Sequence, residues 1–250
     1  FNGRMAVTFF PVLSWTLIWA VFATVTNFFF GIILALIINT KGLKLKKNVA
    51  NNLCYYHCGA TIHFTSYHEK LASRCWSNQC YFLKKIGLVS AANPLPFLSD
   101  PLWAKFSIII VNMWVGIPVT MLVATGIIMN LPQEQIEAAE IDGASKFQIF
   151  KSITFPQILL VMMPNLIQQF IGNINNFNVI YLLTGGGPTN SNFYQAGSTD
   201  LLVTWLYNLT VTAADYNLAS VIGIIIFVLS AVFSLLAYTR TSSYKEGVAK

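Results

Sequence analysis

Two groups of side chains in this 250-residue sequence have the types and spacing to do chemistry. The first is a set of amides in stretches without charge: Asn112, then Gln168, Gln169, Asn173, Asn175, Asn176 and Asn178. An amide is donor and acceptor at once, so it can exchange hydrogen bonds with the polar groups of a solute, and Asn173 and Asn176 are three apart on one helical face. Gly116, one turn beyond Asn112, opens space beside it. Amides also simply join helices in membranes, for about 1 kcal/mol each, and that alternative stays open. The second group gathers every cysteine and histidine of the chain into one stretch: Cys54, His57, Cys58, His63, His68, Cys75 and Cys80. Cys and His are zinc ligands, but the spacing matches no finger or knuckle, and a disulfide between them has no connectivity readable from sequence.

Other patterns carry less. No catalytic triad or pair of acids stands out. Gly185-Gly186-Gly187-Pro188 lacks the Lys-Ser/Thr partner of a phosphate cradle and reads as a loop turn on the outer side. Asn208-Leu209-Thr210 matches a glycosylation sequon, a three-residue pattern of low specificity.

The elements that position these groups follow from composition. Hydrophobic residues make up 55% of the chain and charged ones 10%, which excludes a water-soluble globule. Runs without charge cover 5–40, 106–133, 152–199 and 216–239, each long enough for a hydrocarbon core that needs about 20 apolar residues. Lipid offers no partner to unpaired backbone groups, so the runs are read as helices spanning about 9–39, 104–130, 156–183 and 216–239. The expected fold is an all-α, polytopic membrane helical bundle forming a single transmembrane domain over 1–250. Pro164 is placed to kink the third of these spans. The first apolar run is too long for a signal peptide, and an N-terminal portion is expected to be missing.

The net charge of +6 does not point to nucleic acid. Lys41, Lys44, Lys46 and Lys47 follow the first run and Arg240, Lys245 and Lys250 follow the last, as in loops held inside the cell. Counting spans back from Arg240 puts the loop 131–155 inside as well. Two inner loops need an even number of crossings between them, yet only the span at 104–130 separates the lysine cluster from that loop. A crossing is therefore missing within 48–102.

The Cys/His stretch lies where that crossing belongs. Tyr, His and Asn codons all end in A plus a pyrimidine, so reading one base later turns each into Ile, Thr or Met. Tyr55, Tyr56, His57, His63, Tyr67, His68 and Asn78 then conceal a mostly apolar segment, and Trp76-Ser77 yields Gly. Segment 48–81 is accordingly expected to be a span read in a shifted frame, with zinc or a disulfide as the alternative, and the DNA across these codons decides between them. If the literal segment is real, its many polar groups do not cross lipid cheaply, and misassembly is expected.

The most specific pattern runs from Glu134 to Pro156, E-Q-I-E-A-A-E-I-D-G-A-S-K-F-Q-I-F-K-S-I-T-F-P. Helix formers occupy the stretch up to Ile141 and Gly143 permits a sharp bend, which predicts a helix-turn-helix. An amphipathic helix on the membrane surface is the alternative, but its acidic face suits anionic lipid poorly. With Glu137, Ala138, Ala139, Gly143, Ile153 and Pro156 in register, this loop resembles the EAA loop of permease subunits in binding-protein-dependent ABC importers, departing in Phe155 where that family has Leu. Further stretches, Ile109 to Pro118, Asn173 to Pro188 and Ala196 to Val203, resemble the maltose/maltodextrin (MalF-like) type. The likeness covers 1–47 and 82–250, and the shifted-frame peptide resembles the span that is missing between them.

The resemblance implies the MetI/MalF-like permease fold, truncated at the N-terminus, in a bacterial inner membrane. It implies a transport subunit with no enzymatic activity, no cofactor and no metal of its own. ATP and Mg would be bound by a cytoplasmic ABC ATPase dimer that docks on the EAA loop, with Glu137 as polar anchor. The other implied partners are a second homologous permease subunit, an extracellular sugar-binding protein and membrane lipid. By the same resemblance Asn112, Val115, Gly116, Val119, Gln169, Gly172, Asn173 and Asn176 stand at substrate-lining positions for maltose, maltodextrin or a related oligosaccharide. Val119 replaces an aromatic there, and Gln169 and Gly172 also differ, so the exact sugar is open. Competing readings are a permease for another solute, a membrane metal-binding protein using the Cys/His cluster, and a frameshifted product that transports nothing.

Overall fold

The computed structural model describes residues 3–39 and 99–239. The expectations for 48–81, including the shifted frame and the Cys/His ligands, and the basic clusters at 41–47 and 240–250 lie outside the described residues.

The described chain is helical, with a lone antiparallel bridge between Thr189 and Gly197. Four helical stretches are long and apolar enough to cross a membrane. The first is α1 (Gly3–Asn39) and the second α2 (Pro101–Met129). Asp100 starts α2, its Oδ1 accepting from the amide of Leu102 at 2.9 Å, a carboxylate where the helix dipole favours one. The short helices α3 (Gln133–Ile141) and α4 (Lys146–Ile149) follow. A π-helical turn, Phe150–Thr154, joins α4 to α5 (Phe155–Ile174). After a break come α6 (Asn178–Thr184), α7 (Leu202–Tyr207) with a second π turn at Asn208–Thr212, and α8 (Tyr216–Thr239).

The run expected as one helix over 156–183 is broken at 175–177. The cause is local. The Oδ1 of Asn176 accepts from the amide of Val179 at 3.3 Å, offering the backbone a side-chain partner in place of a helical carbonyl.

Two compact units are present, and each long helix contributes to both. Of the described residues, 3–19, 99–112 and 174–226 form one, and 20–39, 113–173 and 227–239 the other. In the first unit, α1 is tied to the loop before α7 through its polar edge. Trp15 Nε1 donates to the Thr199 carbonyl at 3.2 Å, and the Leu202 amide donates to Thr16 Oγ1 at 3.1 Å. Trp19 and Trp205 are fully enclosed, and Trp205 Nε1 donates to the Tyr194 carbonyl at 2.9 Å, so the buried indole N–H has a partner.

The core of the second unit is a seam. Phe28, Ile32, Ala35 and Ile38 recur along one face of α1 and meet Met121 and Ala124 of α2 and Ile158 and Met162 of α5. Small residues set the spacing. A Cβ on Gly31 would lie 2.6 Å from the Cβ of Thr120, so α1 and α2 approach there only because Gly31 has no side chain.

Candidate functional site

Four of the amides singled out in the sequence, Asn112, Gln169, Asn173 and Asn176, are hydrogen-bonded within their own units. In the first unit Asn112, 4% exposed, accepts through Oδ1 from Asn176 Nδ2 at 3.1 Å. Its own Nδ2 has no hydrogen-bond partner among the described residues. In the second unit Asn173 Nδ2 donates to Thr24 Oγ1 of α1 at 3.0 Å, and Gln169 Nε2 donates to Thr120 Oγ1 of α2 at 2.8 Å. The Oε1 of Gln169 is buried and unpaired among the described residues. A buried amide atom left unpaired costs about 1–3 kcal/mol, so each of these positions is ready to accept or donate to an incoming hydroxyl.

Gly116 does leave room, but a neighbour takes it. A Cβ at Gly116 would run into the side-chain amide of Asn27, which reaches across from α1. Asn27 is 4% exposed and its Oδ1 is unpaired among the described residues. Gly172 faces open space, Val119 is exposed and Val115 half-buried. The substrate-lining set therefore divides, with Asn112 and Asn176 in one unit and Val115, Gly116, Val119, Gln169, Gly172 and Asn173 in the other.

Three polar partners, Thr24, Asn27 and Thr120, escaped the sequence reading. Thr24 and Asn27 are three apart inside the first apolar run, a one-face polar pair in a span where polar groups are costly, and that was the signal available.

The acidic loop forms a helix hairpin in the second unit. α3 ends in a Schellman cap: the amide of Gly143 donates to the Glu140 carbonyl at 3.1 Å and that of Ala144 to the Ala139 carbonyl at 3.0 Å. Gly143 supplies the left-handed φ of +80° that this cap needs. Ser145 then opens α4 with a capping box, its amide donating to Gln148 Oε1 at 2.8 Å while its Oγ accepts from the Gln148 amide at 3.4 Å. Gln157 Nε2 donates to Gln135 Oε1 at 2.7 Å, bracing α3 against the start of α5.

No residue of α3 is buried. Glu137 and Ala138 stand exposed on it, Ala139 half-buried, Ile153 half-buried in the π turn, and Pro156 exposed at the start of α5. Two large apolar side chains flank the turn in the open, Ile141 at 86% and Phe147 at 72% exposure. The sequence reading did not single them out. A rigid hairpin with bare apolar side chains beside a carboxylate has the anatomy of a docking surface.

One buried acid lies between the long helices, in the loop before α7. Asp200, 1% exposed, accepts through Oδ2 from the Gly197 amide at 2.8 Å and from Asn208 Nδ2 at 3.2 Å. Burial raises its carboxyl above the ordinary carboxylate value, against the hydrogen bonds from Gly197 and Asn208 that lower it. Its Oδ1 has no partner among the described residues, and a Cβ on Gly186 would collide with the carboxylate. Gly186 sits at φ +86°, so the glycine loop closes over the acid both by conformation and by lack of a side chain. Among the described residues no group of His, Cys, Asp and Glu is arranged to hold a metal.

Residues 5–241 match the model of the family described as "Binding-protein-dependent transport system inner membrane component". Among curated proteins, the chain is 35% identical to the galactooligosaccharides transport system permease protein GanP of Bacillus subtilis (strain 168), over 96% of the chain and 56% of that protein. It is also 35% identical to the maltodextrin transport system permease protein MdxF of the same organism, over 98% of the chain and 57% of the relative. The chain thus spans little more than half the length of these relatives. Among solved structures it is similar to a bacterial ABC transporter involved in the import of the acidic polysaccharide alginate, with a TM-score of 0.75 and 25% identity, covering 92% of this chain and 77% of that one. A second similar structure is the bacterial alginate ABC transporter in complex with an alginate pentasaccharide-bound periplasmic protein, again at a TM-score of 0.75 and 25% identity, covering 93% of this chain and 78% of that one.

Proposed function

Since this chain belongs to the family of inner membrane components of binding-protein-dependent transport systems, we propose that it is one transmembrane subunit of an ATP-driven importer for maltose, maltodextrin or a related neutral oligosaccharide. Members of the family are permease subunits and not enzymes themselves, so the chemical work is assigned to a separate ATPase dimer carrying ATP and Mg. A second homologous permease subunit and an extracellular sugar-binding protein complete the assembly.

The observation that carries the substrate class is Asn112 Nδ2, a buried amide donor without a partner among the described residues, on a helix long enough to span a membrane. A hydroxyl of a neutral polyol satisfies it without bringing in a charge, whereas an ionic solute would need a counter-charge. The maltodextrin and galactooligosaccharide named for the two relatives above are of this kind.

The coupling step follows from the hairpin. Closure of the ATPase dimer would press on α3 at Glu137, Ala138 and Ala139. The capped turn at Gly143, α4 and the π turn run without a break into α5, so the push would be carried along α5 to Gln169 and Asn173 as a lever. The same reading keeps segment 48–81 as a span in a shifted frame, which the DNA sequence across it tests.

Uptake of radiolabelled maltotriose into a host lacking its own maltodextrin permease tests the function, with this chain expressed beside its partner subunits and 48–81 supplied both as written and in the shifted frame. Uptake that needs ATP and falls at least tenfold in Asn112→Ala is the expected result. Uptake that is insensitive to Asn112→Ala would remove the amide path.

A further inference from the structure

A third cluster belongs to neither the amide pairs nor the hairpin. Where the helix breaks after Ile174, Phe177 stacks on Tyr181, one turn further on, with ring centroids 4.8 Å apart and planes inclined by 18°. Tyr207, from the end of α7, meets both rings edge-on at 5.0 Å, at 62° to Phe177 and 70° to Tyr181. The cluster adjoins the amide pair directly, because Phe177 follows Asn176, whose side chain bonds to Asn112. All five residues lie in the same unit. The rings are not sealed into the core: Tyr181 is 36% exposed and Phe177 and Tyr207 are half-buried. Two of the three rings are phenols, so the cluster carries hydroxyls as well as ring surface.

A pyranose ring has the same division, an apolar face of C–H groups and a polar rim of hydroxyls. A partly exposed aromatic cluster that carries phenol hydroxyls beside a buried amide pair matches both parts. We propose that Phe177, Tyr181 and Tyr207 form a stacking platform for a further sugar unit beside the Asn112–Asn176 pair. The platform makes the path favour chains longer than a disaccharide. This rests on the carbohydrate reading above and deepens it by assigning a length preference to named residues.

The test is saturation-transfer NMR on this chain assembled with its partner subunits in lipid nanodiscs, with 48–81 supplied both as written and in the shifted frame, titrated with maltose and with maltoheptaose. The wild type is expected to bind maltoheptaose more tightly than maltose. Tyr181→Ala/Tyr207→Ala should weaken maltoheptaose by roughly three- to tenfold and leave maltose unchanged, the size expected for lost aromatic contacts. Tyr181→Phe/Tyr207→Phe, which keeps the rings, should retain most of the length preference and guards against a folding artefact. Unchanged maltoheptaose affinity in the alanine variant would overturn the platform while leaving the carbohydrate path intact, and would hand the trio to lipid or to a docking protein. Equal weakening of both sugars would overturn it in favour of a merely structural role. Absence of transfer to either sugar from helical wild-type chain would sink the carbohydrate reading, and the platform with it.

Discussion

Asp200 condenses the residue-scale physics of this chain, since it is a buried acid with no basic partner among the described residues and one oxygen unpaired. Its folded-state carboxyl lies above the ordinary value because burial outweighs the hydrogen bonds it accepts. The folded chain therefore binds this proton more tightly than the unfolded chain does. Stability is gained as pH falls through the raised folded value, is complete below the ordinary carboxylate value, and is lost again as pH rises. Melting curves in detergent should show the wild type gaining on Asp200→Asn as the pH is lowered from neutral; a wild type that loses ground on acidification would contradict the assignment. The sequence displayed Asp200 as the acid ending a long charge-free run, but its burial depends on Gly186 and Asn208 folding against it, contacts that no local pattern encodes. The same holds for the amides. Asn112, Gln169, Asn173 and Asn176 stood out because polar groups in an apolar run are costly, whereas their partners Thr24 and Thr120 are ordinary residues of membrane helices and became visible only through the 3.0 and 2.8 Å bonds they make.

At the scale of elements, the hairpin was the most legible part, because its devices are local. A helix-forming run, a glycine at the left-handed position and a Ser-x-x-Gln capping box each act over four or five residues, and all three are realised at Gly143 and Ser145. The sequence reading misses the break at 175–177, since the charge-free run continues through it and its asparagines are read as the face of one long helix, whereas Asn176 Oδ1 accepts from the Val179 amide. Gly143→Ala puts a Cβ on a residue held at φ +80°, which should cost about 1 kcal/mol or more of hairpin stability. Nothing lies within 4 Å of that Cβ, so any effect comes from the backbone and not from a clash. The expected outcome is faster amide hydrogen exchange across α3 and α4 with α1 unchanged. Protection equal to wild type in α3 would show that the cap does not hold the turn.

For the whole molecule, the sequence settled the class through hydropathy and length alone: four described helices meet the requirements for crossing a membrane. What it left to parity was direction, and direction decides whether the hairpin faces the ATPase or the sugar-binding protein. A push delivered on the inner face and carried along α5 is the account's central claim, and the position of Glu137 relative to the membrane tests it most directly. The measurement is maleimide labelling of Glu137→Cys with a membrane-impermeant reagent, after Cys54, Cys58, Cys75 and Cys80 have been changed to serine, in sealed vesicles of both orientations. Labelling confined to inside-out vesicles, and blocked when the ATPase subunits are bound, is the predicted result. Labelling of right-side-out vesicles would place the hairpin on the outer face and contradict the account.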